Sequence, residues 1–168
     1  MGGVLTRMTR RATVQGIPLM LTLEDVSDPA PAKVMEKTRG GSFIEREVNT
    51  GVEAMSASLT ITGATSEVLT VYGLTTGRTA AVTVEEAYRD EDGNKYTVVS
   101  EWVGEASKIE DSNTKMGELA QTVISFSPSW KKKTINGVIV WEVANNGSVM
   151  NLGTEDILAE FRSMVGLY

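Results

Sequence analysis

Hydrophobic and polar positions alternate over long runs between Thr79 and Trp130. Val82, Val84 and Tyr88 share one parity, and Thr83, Glu85 and Arg89 share the other. Beyond Glu91-Asp92-Gly93 the pattern resumes, with Tyr96, Val98 and Trp102 against Lys95, Thr97 and Glu101. A third run groups Ala120, Ile124, Phe126 and Trp130 against Gln121, Ser125 and Ser129. Period two over such lengths predicts strands with one dry and one wet face. The turn sets the register of the first two. A two-residue Asp-Gly loop would place Tyr88 opposite Thr97 and mix the faces. A three-residue Glu91-Asp92-Gly93 loop pairs Asp90 with Asn94, Tyr88 with Tyr96, Val84 with Ser100 and Val82 with Trp102, and Gly93 takes the left-handed position. A slip of one residue would turn the dry set toward water, so the second register is preferred.

The rest of the chain supplies shorter elements. Arg11 to Leu23 reads as two short strands around a Gln15-Gly16 turn, with Ala12, Val14, Ile17, Leu19, Leu21 and Leu23 apolar. Asp28-Pro29-Ala30-Pro31 lacks two ladder donors and predicts a turn or an exposed edge. Ala54 to Gly63 alternates Met55, Ala57, Leu59 and Ile61 with Ser and Thr, a strand with a polar outer face. Thr65 or Ser66 then caps a short helix that ends at Gly73. Lys108 to Gly117 is polar and reads as a connection. Asn136-Gly137 demands a type I′ turn; it pairs Ile135 with Val138 and so Lys131 with Glu142. The triplet Lys131-Lys132-Lys133 then reads as a solubilising edge. At the end, Thr154 caps a helix that stops at Gly166, and its stripe of Ile157, Leu158, Phe161, Met164 and Val165 predicts a helix covering a sheet.

Lys33 to Gly51 stands apart. It is highly charged, carries Gly40-Gly41, and has Phe43-Ile44 as its one greasy pair. A stretch this long without a dry face is uncommon inside a compact domain unless it is functional or disordered. Phe43-Ile44 either meets a partner surface or tucks back on its own sheet. Residues 1–10 read as a flexible arm, and residues 11–168 as a single domain with an extended loop at 33–51.

Composition narrows the chemistry. The 168 residues include no Cys and no His. Thiol and imidazole catalysis, disulfides and a typical zinc site are thereby removed. The formal net charge of -6 argues against attraction of nucleic acid by the surface as a whole. No apolar run is long enough for a membrane anchor. Asp90-Glu91-Asp92-Gly93-Asn94 opens like a calcium loop but lacks the bidentate acid at its end, and a hairpin turn explains it better. Glu85 and Glu86 point to opposite faces of a strand, and Glu155-Asp156 is a capping signal. Gly40-Gly41 has no phosphate-loop context, and no serine sits in a nucleophile elbow. No catalytic, cofactor-binding or metal-binding residue emerges, and an enzyme is not expected.

Several stretches together resemble the major tail tube proteins of contractile-tailed bacteriophages and of R-type pyocins. They are Thr38-Arg39-Gly40-Gly41, Gly51-Val52-Glu53-Ala54-Met55, Val68 to Leu74, Val103 to Ile109, Ile135 to Glu142, and the helix from Asp156 closing on Gly166-Leu167. The resemblance runs from about Arg11 to the C-terminus. It implies a mainly β fold of two bent, crosswise-packed antiparallel sheets, sandwich- or barrel-like, with a short side helix and a C-terminal helix. It also implies that six copies make a ring, that rings stack into a tube, and that strands join across subunits into one inner barrel. In the family, the loop between the early strands contacts the next ring, which transfers to Arg39, Gly40, Gly41, Ser42, Phe43 and Ile44.

The function so implied is structural: a conduit for double-stranded DNA ejected into a bacterial host. The implied partners are the sheath outside the tube, the tape measure protein and genomic DNA inside without specific binding, and the baseplate and tail terminator at the ends. The place is the virion, assembled in the host cytoplasm. A conduit must not bind a polyanion, so Glu85, Glu101, Glu105 and Glu118 are candidates to face the lumen. A monomeric β-sandwich that binds a ligand through its loops competes with this reading, and a hydrolase with an acid pair does so less well.

Overall fold

Strands dominate, as the period-two pattern requires. The computed structural model describes residues 3–18, 23–63, 79–111, 115–153 and 155–166. In chain order they form β1 (Thr6–Val14), β2 (Ile17–Pro18), β3 (Leu23–Ser27), β4 (Lys33–Thr38), β5 (Arg46–Val52) and β6 (Ala57–Thr62). There follow β7 (Ala80–Arg89), β8 (Lys95–Asp111), β9 (Gln121–Ile135), β10 (Val138–Ala144), β11 (Met150–Asn151) and a helix, α1 (Ala159–Met164). The expected helix from Thr65 to Gly73 lies outside the described residues, as do Leu19, Leu21, Thr154 and Leu167.

The β7–β8 hairpin has the expected register: Tyr88 faces Tyr96, Val84 faces Ser100, and Val82 faces Trp102. Its loop closes with Asp90 N donating to Asn94 O at 3.0 Å, and Gly93 has φ +85°. The Asp90 carboxylate accepts from Asn94 N and Asn94 Nδ2, which holds its pKa below the ordinary value. Gln15 and Gly16 turn the chain after β1 with positive φ. Asn136 and Gly137 do so after β9, and Ile135 pairs with Val138.

β8 and β9 pair along nearly their whole length, but their other neighbours change midway. β7 flanks β8 from Lys95 to Gly104. β10 flanks the C-terminal part of β9, and β6 flanks its N-terminal part. One nine-stranded antiparallel sheet therefore has two halves, β1-β7-β8-β9-β10 and β8-β9-β6-β3. The core lies between them. Ala12, Val14, Val82, Val84 and Trp102 come from the first half, and Leu59, Ile61, Ile124 and Phe126 from the second.

Two bulges make the fold-over. Between Val103 and Gly104 the partner skips from Trp130 to Pro128, which leaves Ser129 extra. Between Ala106 and Lys108 the partner moves only from Phe126 to Ser125, which leaves Ser107 extra. Such insertions bend a strand and raise its twist. Pro128, with no N–H to offer the ladder, is tolerated here for that reason. Its backbone lies against Gly104, where an added Cβ would lie 2.6 Å from the Ser127 carbonyl oxygen and 2.7 Å from Pro128 Cα. The extra serines occupy freed carbonyls: Ser129 Oγ donates to Val103 O and Ser107 Oγ to Ser125 O, both at 3.2 Å.

The bulges account for most departures from the sequence pattern. Ile124 and Phe126 are buried as expected, but the parity flip at Ser129 moves Trp130 to the other face and puts Lys131 in the interior. A further irregularity between Ile139 and Trp141 aligns Glu142 with Lys132 instead of Lys131. The lysine triplet is thus part of a central strand, not an exposed edge. β8 continues through Lys108 to Asp111, where a connection was expected. β1 begins at Thr6, so Thr6–Arg10 is laddered to β7 and is not a free arm. The loop at 33–51 is a two-stranded sheet of its own, β4 with β5. Helix α1 buries none of its residues and covers no sheet.

Gly104→Ala is expected to lose about 1–3 kcal/mol of stability, the range for overpacking a fixed site. Urea unfolding checks this, and an unchanged midpoint would show that the close approach at Pro128 is not required.

Candidate assembly surfaces

The β4–β5 hairpin projects both of its faces into solvent. At its base Glu53 N donates to Ala32 O at 2.7 Å, which joins it to the body. Its tip is a compact turn: Ser42 N donates to Arg39 O at 3.0 Å, and Gly40 has φ +57°. Ile44 N donates to Ser42 Oγ at 3.3 Å, and Arg39 pairs with Glu45 at 3.1 Å. These bonds hold Phe43 and Ile44 outward, 96% and 75% exposed. Arg39, Gly40, Gly41, Ser42, Phe43 and Ile44 therefore sit together, and the greasy pair does not tuck back on its own sheet.

The first half of the sheet has one face against the core and one bare. On the bare face, paired residues form rows across the strands. One row reads Thr13, Thr83, Glu101, Lys132, Glu142. The next reads Arg11, Glu85, Val99, Thr134, Ile139. Glu85 forms an ion pair with Arg11. Glu105 shares the parity of Glu101, opposite Ser127. Three of the four candidate glutamates thus lie on one face, interleaved with Arg11 and Lys132, and Arg89 and Lys95 face each other on it at the hairpin end. Glu118 lies elsewhere, in the turn before β9, where its carboxylate accepts from Lys115 N at 3.1 Å. Arg11 and Lys132 were missed because parity alone does not show which strands become neighbours. The Glu142–Lys132 register was hidden by the bulge.

This half-sheet also ends bare on both sides. β2 reaches β1 only at Thr13 and Val14, and β11 reaches β10 only at Glu142 and Val143. Among the described residues, no strand lies beside Thr6–Ala12 at one end or Val138–Trp141 at the other.

Inside, a polar group lies beneath the segment that leads to the hairpin. Lys131 is fully buried, its ammonium 5.3 Å from the Trp102 ring centroid. Burial lowers its pKa to about 8, against the pull of Asp28 and Glu86. Ser100 Oγ donates to Asp28 Oδ2 at 3.1 Å. Glu86, also buried, accepts from Tyr88 Oη at 2.8 Å and pairs with Arg7. These are structural contacts, and they tie Arg7 of β1 to β7.

The C-terminal segment is clamped by one carboxylate. Asp156 accepts from Met150 N at 3.2 Å and from Leu158 N at 3.1 Å, and it pairs with Arg162. The Arg162 hydrogen bond holds its pKa below the ordinary value. Arg162 Nη1 also donates to Gly147 O at 2.9 Å, so α1 is fixed beside the turn at 145–148. Between them lies a groove of about 490 Å³, lined by Gly147, Ser148, Leu158, Phe161, Arg162 and Val165.

Comparison with known families and structures bears on these surfaces. A family model described as phage tail tube protein FII matches residues 9–166. No curated protein matches. A chain of an extracellular contractile injection system, the PVC sheath–tube complex in its extended state, aligns with TM-score 0.53 and 10% identity over 75% of this chain and 88% of that one. A chain of the anti-feeding prophage baseplate aligns with TM-score 0.50 and 12% identity over 80% of this chain and 94% of that one. At these identities the structural likeness shows a shared fold.

Lys131 provides a test of the interior. The buried ammonium disfavours folding at and below about pH 8, and the penalty fades as pH rises toward the ordinary lysine value, because the folded chain releases its proton first. Lys131→Met is therefore expected to raise stability by roughly 1–3 kcal/mol at pH 7, with the advantage shrinking toward pH 10. Thermal melts across that range check it. A pH-independent difference would contradict the assignment.

Proposed function

The chain belongs to the phage tail tube protein FII family, and we propose that it builds the inner tube of a contractile tail, six copies to a ring, with stacked rings forming a conduit for double-stranded DNA. It serves as a structural part of the particle and not as an enzyme. The observation that carries this reading is the pair of bare edges at opposite ends of one antiparallel half-sheet. Thr6–Ala12 of one copy can pair with Val138–Trp141 of the next. A head-to-tail contact of this kind closes a ring when its rotation divides the circle. Closure turns the half-sheets into one barrel and removes the edges that would otherwise recruit other strands.

Ring closure also decides which face lines the bore. The second half of the sheet lies behind the core face, so the bare face with Glu85, Glu101 and Glu105 becomes the wall. Duplex DNA carries one charge per roughly 1.7 Å of axis and binds wherever lysines and arginines line up to release its counterions. Along this wall Arg11 is paired with Glu85, and Lys132 stands between Glu101 and Glu142. Threonines, Val99 and Ile139 fill the intervening positions. Apart from Arg89 opposite Lys95 at the hairpin end, its bases stand beside acids, so DNA and a tape measure protein slide without being held. Glu118 takes no part in the wall. The sheath lies outside the tube, the baseplate and tail terminator lie at its ends, and the protein resides in the virion after assembly in the host cytoplasm.

Negative-stain microscopy of the concentrated protein is expected to show sixfold rings or tubes; a persistent monomer would overturn the reading. For the bore, Glu101→Lys with Glu105→Lys is expected to leave tubes intact and slow DNA ejection from assembled particles. Ejection at the normal rate would contradict the placement of these residues.

A further inference from the structure

Among the exposed apolar features of the described residues, two have opposite shapes. One is a knob, Phe43 and Ile44 on the tip of the β4–β5 hairpin. The other is the groove between α1 and the turn at 145–148. Phe161 on the groove wall is 62% exposed, and Met164 and Val165 beside it are more exposed still. Water against this much contiguous apolar surface is unfavourable, and such patches on soluble proteins mark contact sites. The groove does not hold the chain's own tip, because Phe43 is almost wholly free of contacts.

We propose that the hairpin tip of one copy docks in the α1 groove of a second copy. This rests on the tube reading and names the receptor for the hairpin. Charge favours the match. Around the knob, Arg39 is paired with Glu45, Lys37 stands opposite Glu47, and Arg46 is exposed opposite Thr38. Around the groove, Glu155 and Glu160 are exposed while Asp156 is neutralised by Arg162. The groove volume of about 490 Å³ lies in the range that takes a pair of apolar side chains. A knob and a pocket on different parts of one molecule make a heterologous contact, which propagates from copy to copy. Buried aromatic anchors such as Phe43 and Phe161 carry most of the energy of such contacts. The Asp156 clamp gains a purpose: it fixes a short helix whose own packing buries nothing, so the pocket is formed before the knob arrives. The site also commits the groove to this chain rather than to the sheath.

The chain has no cysteine, which makes the test direct. Ile44→Cys and Ser148→Cys are placed singly and together, both at exposed positions that leave Phe43 and Phe161 in place. Assembled protein is treated with a short bismaleimide and run on a denaturing gel. The double variant is expected to give a ladder of covalent multimers, and each single variant no ladder. Phe161→Ala is expected to raise the concentration needed for tubes at least tenfold. Tubes that form without a ladder would overturn the docking and leave the tube reading intact. Absence of both tubes and ladder would overturn both.

Discussion

The close approach of Gly104 to Pro128 is the constraint on which the structure depends. Only a residue without a Cβ fits against the Ser127 carbonyl, and only a residue without an N–H costs nothing at this break in the ladder. The pair, with Ser107 and Ser129 as the extra residues, lets two long strands belong to two layers at once. A straight β8–β9 ribbon would carry the same hydrophobic residues but could not fold them over one another. Bent, it brings Trp102 of one half onto Phe126 and Leu59 of the other and closes a single core.

The same bend creates the surfaces that matter for assembly. A sheet folded on itself hides one face of each layer and leaves the other bare. It also leaves Thr6–Ala12 of β1 and Val138–Trp141 of β10 as edges beside which no further strand of the described chain lies. The bare face mixes acids with bases: charges alternate along the row through Glu101, Lys132 and Glu142, while Arg89 faces Lys95 at the hairpin end. Exposed apolar side chains include Phe43 and Ile44 at the hairpin tip and Phe161, Met164 and Val165 at the C-terminal helix. A lone soluble domain has no reason to keep Phe43 in water; a repeating unit does. The proposal that copies assemble draws on both the membership of the tail tube family and the arrangement of these surfaces.

Much of this was legible in the sequence. Alternation and turn chemistry fixed the β7–β8 register, the Asn136-Gly137 turn and the buried set of β6, because each depends on neighbours close in the chain. What was not legible depends on insertions that parity cannot see. One extra serine moved Trp130 off the core and placed a lysine inside it. One irregularity in β10 shifted Glu142 by a residue. The stripe on the last helix read correctly as apolar but not as uncovered, since amphipathicity says that a face needs a partner and not where the partner is. The glutamates of the bare face could be named, whereas Arg11 and Lys132 beside them required the strand order.

The central claim is that copies of the chain complete its sheet. Backbone hydrogen exchange compared between dilute monomer and assembled protein tests this most directly. The account predicts that amides of Thr6–Ala12 and Val138–Trp141 not bonded within the chain exchange freely in the monomer and become protected on assembly, while the β7–β8 ladder is protected in both. Edge amides that stay equally exposed in the assembled state would contradict it.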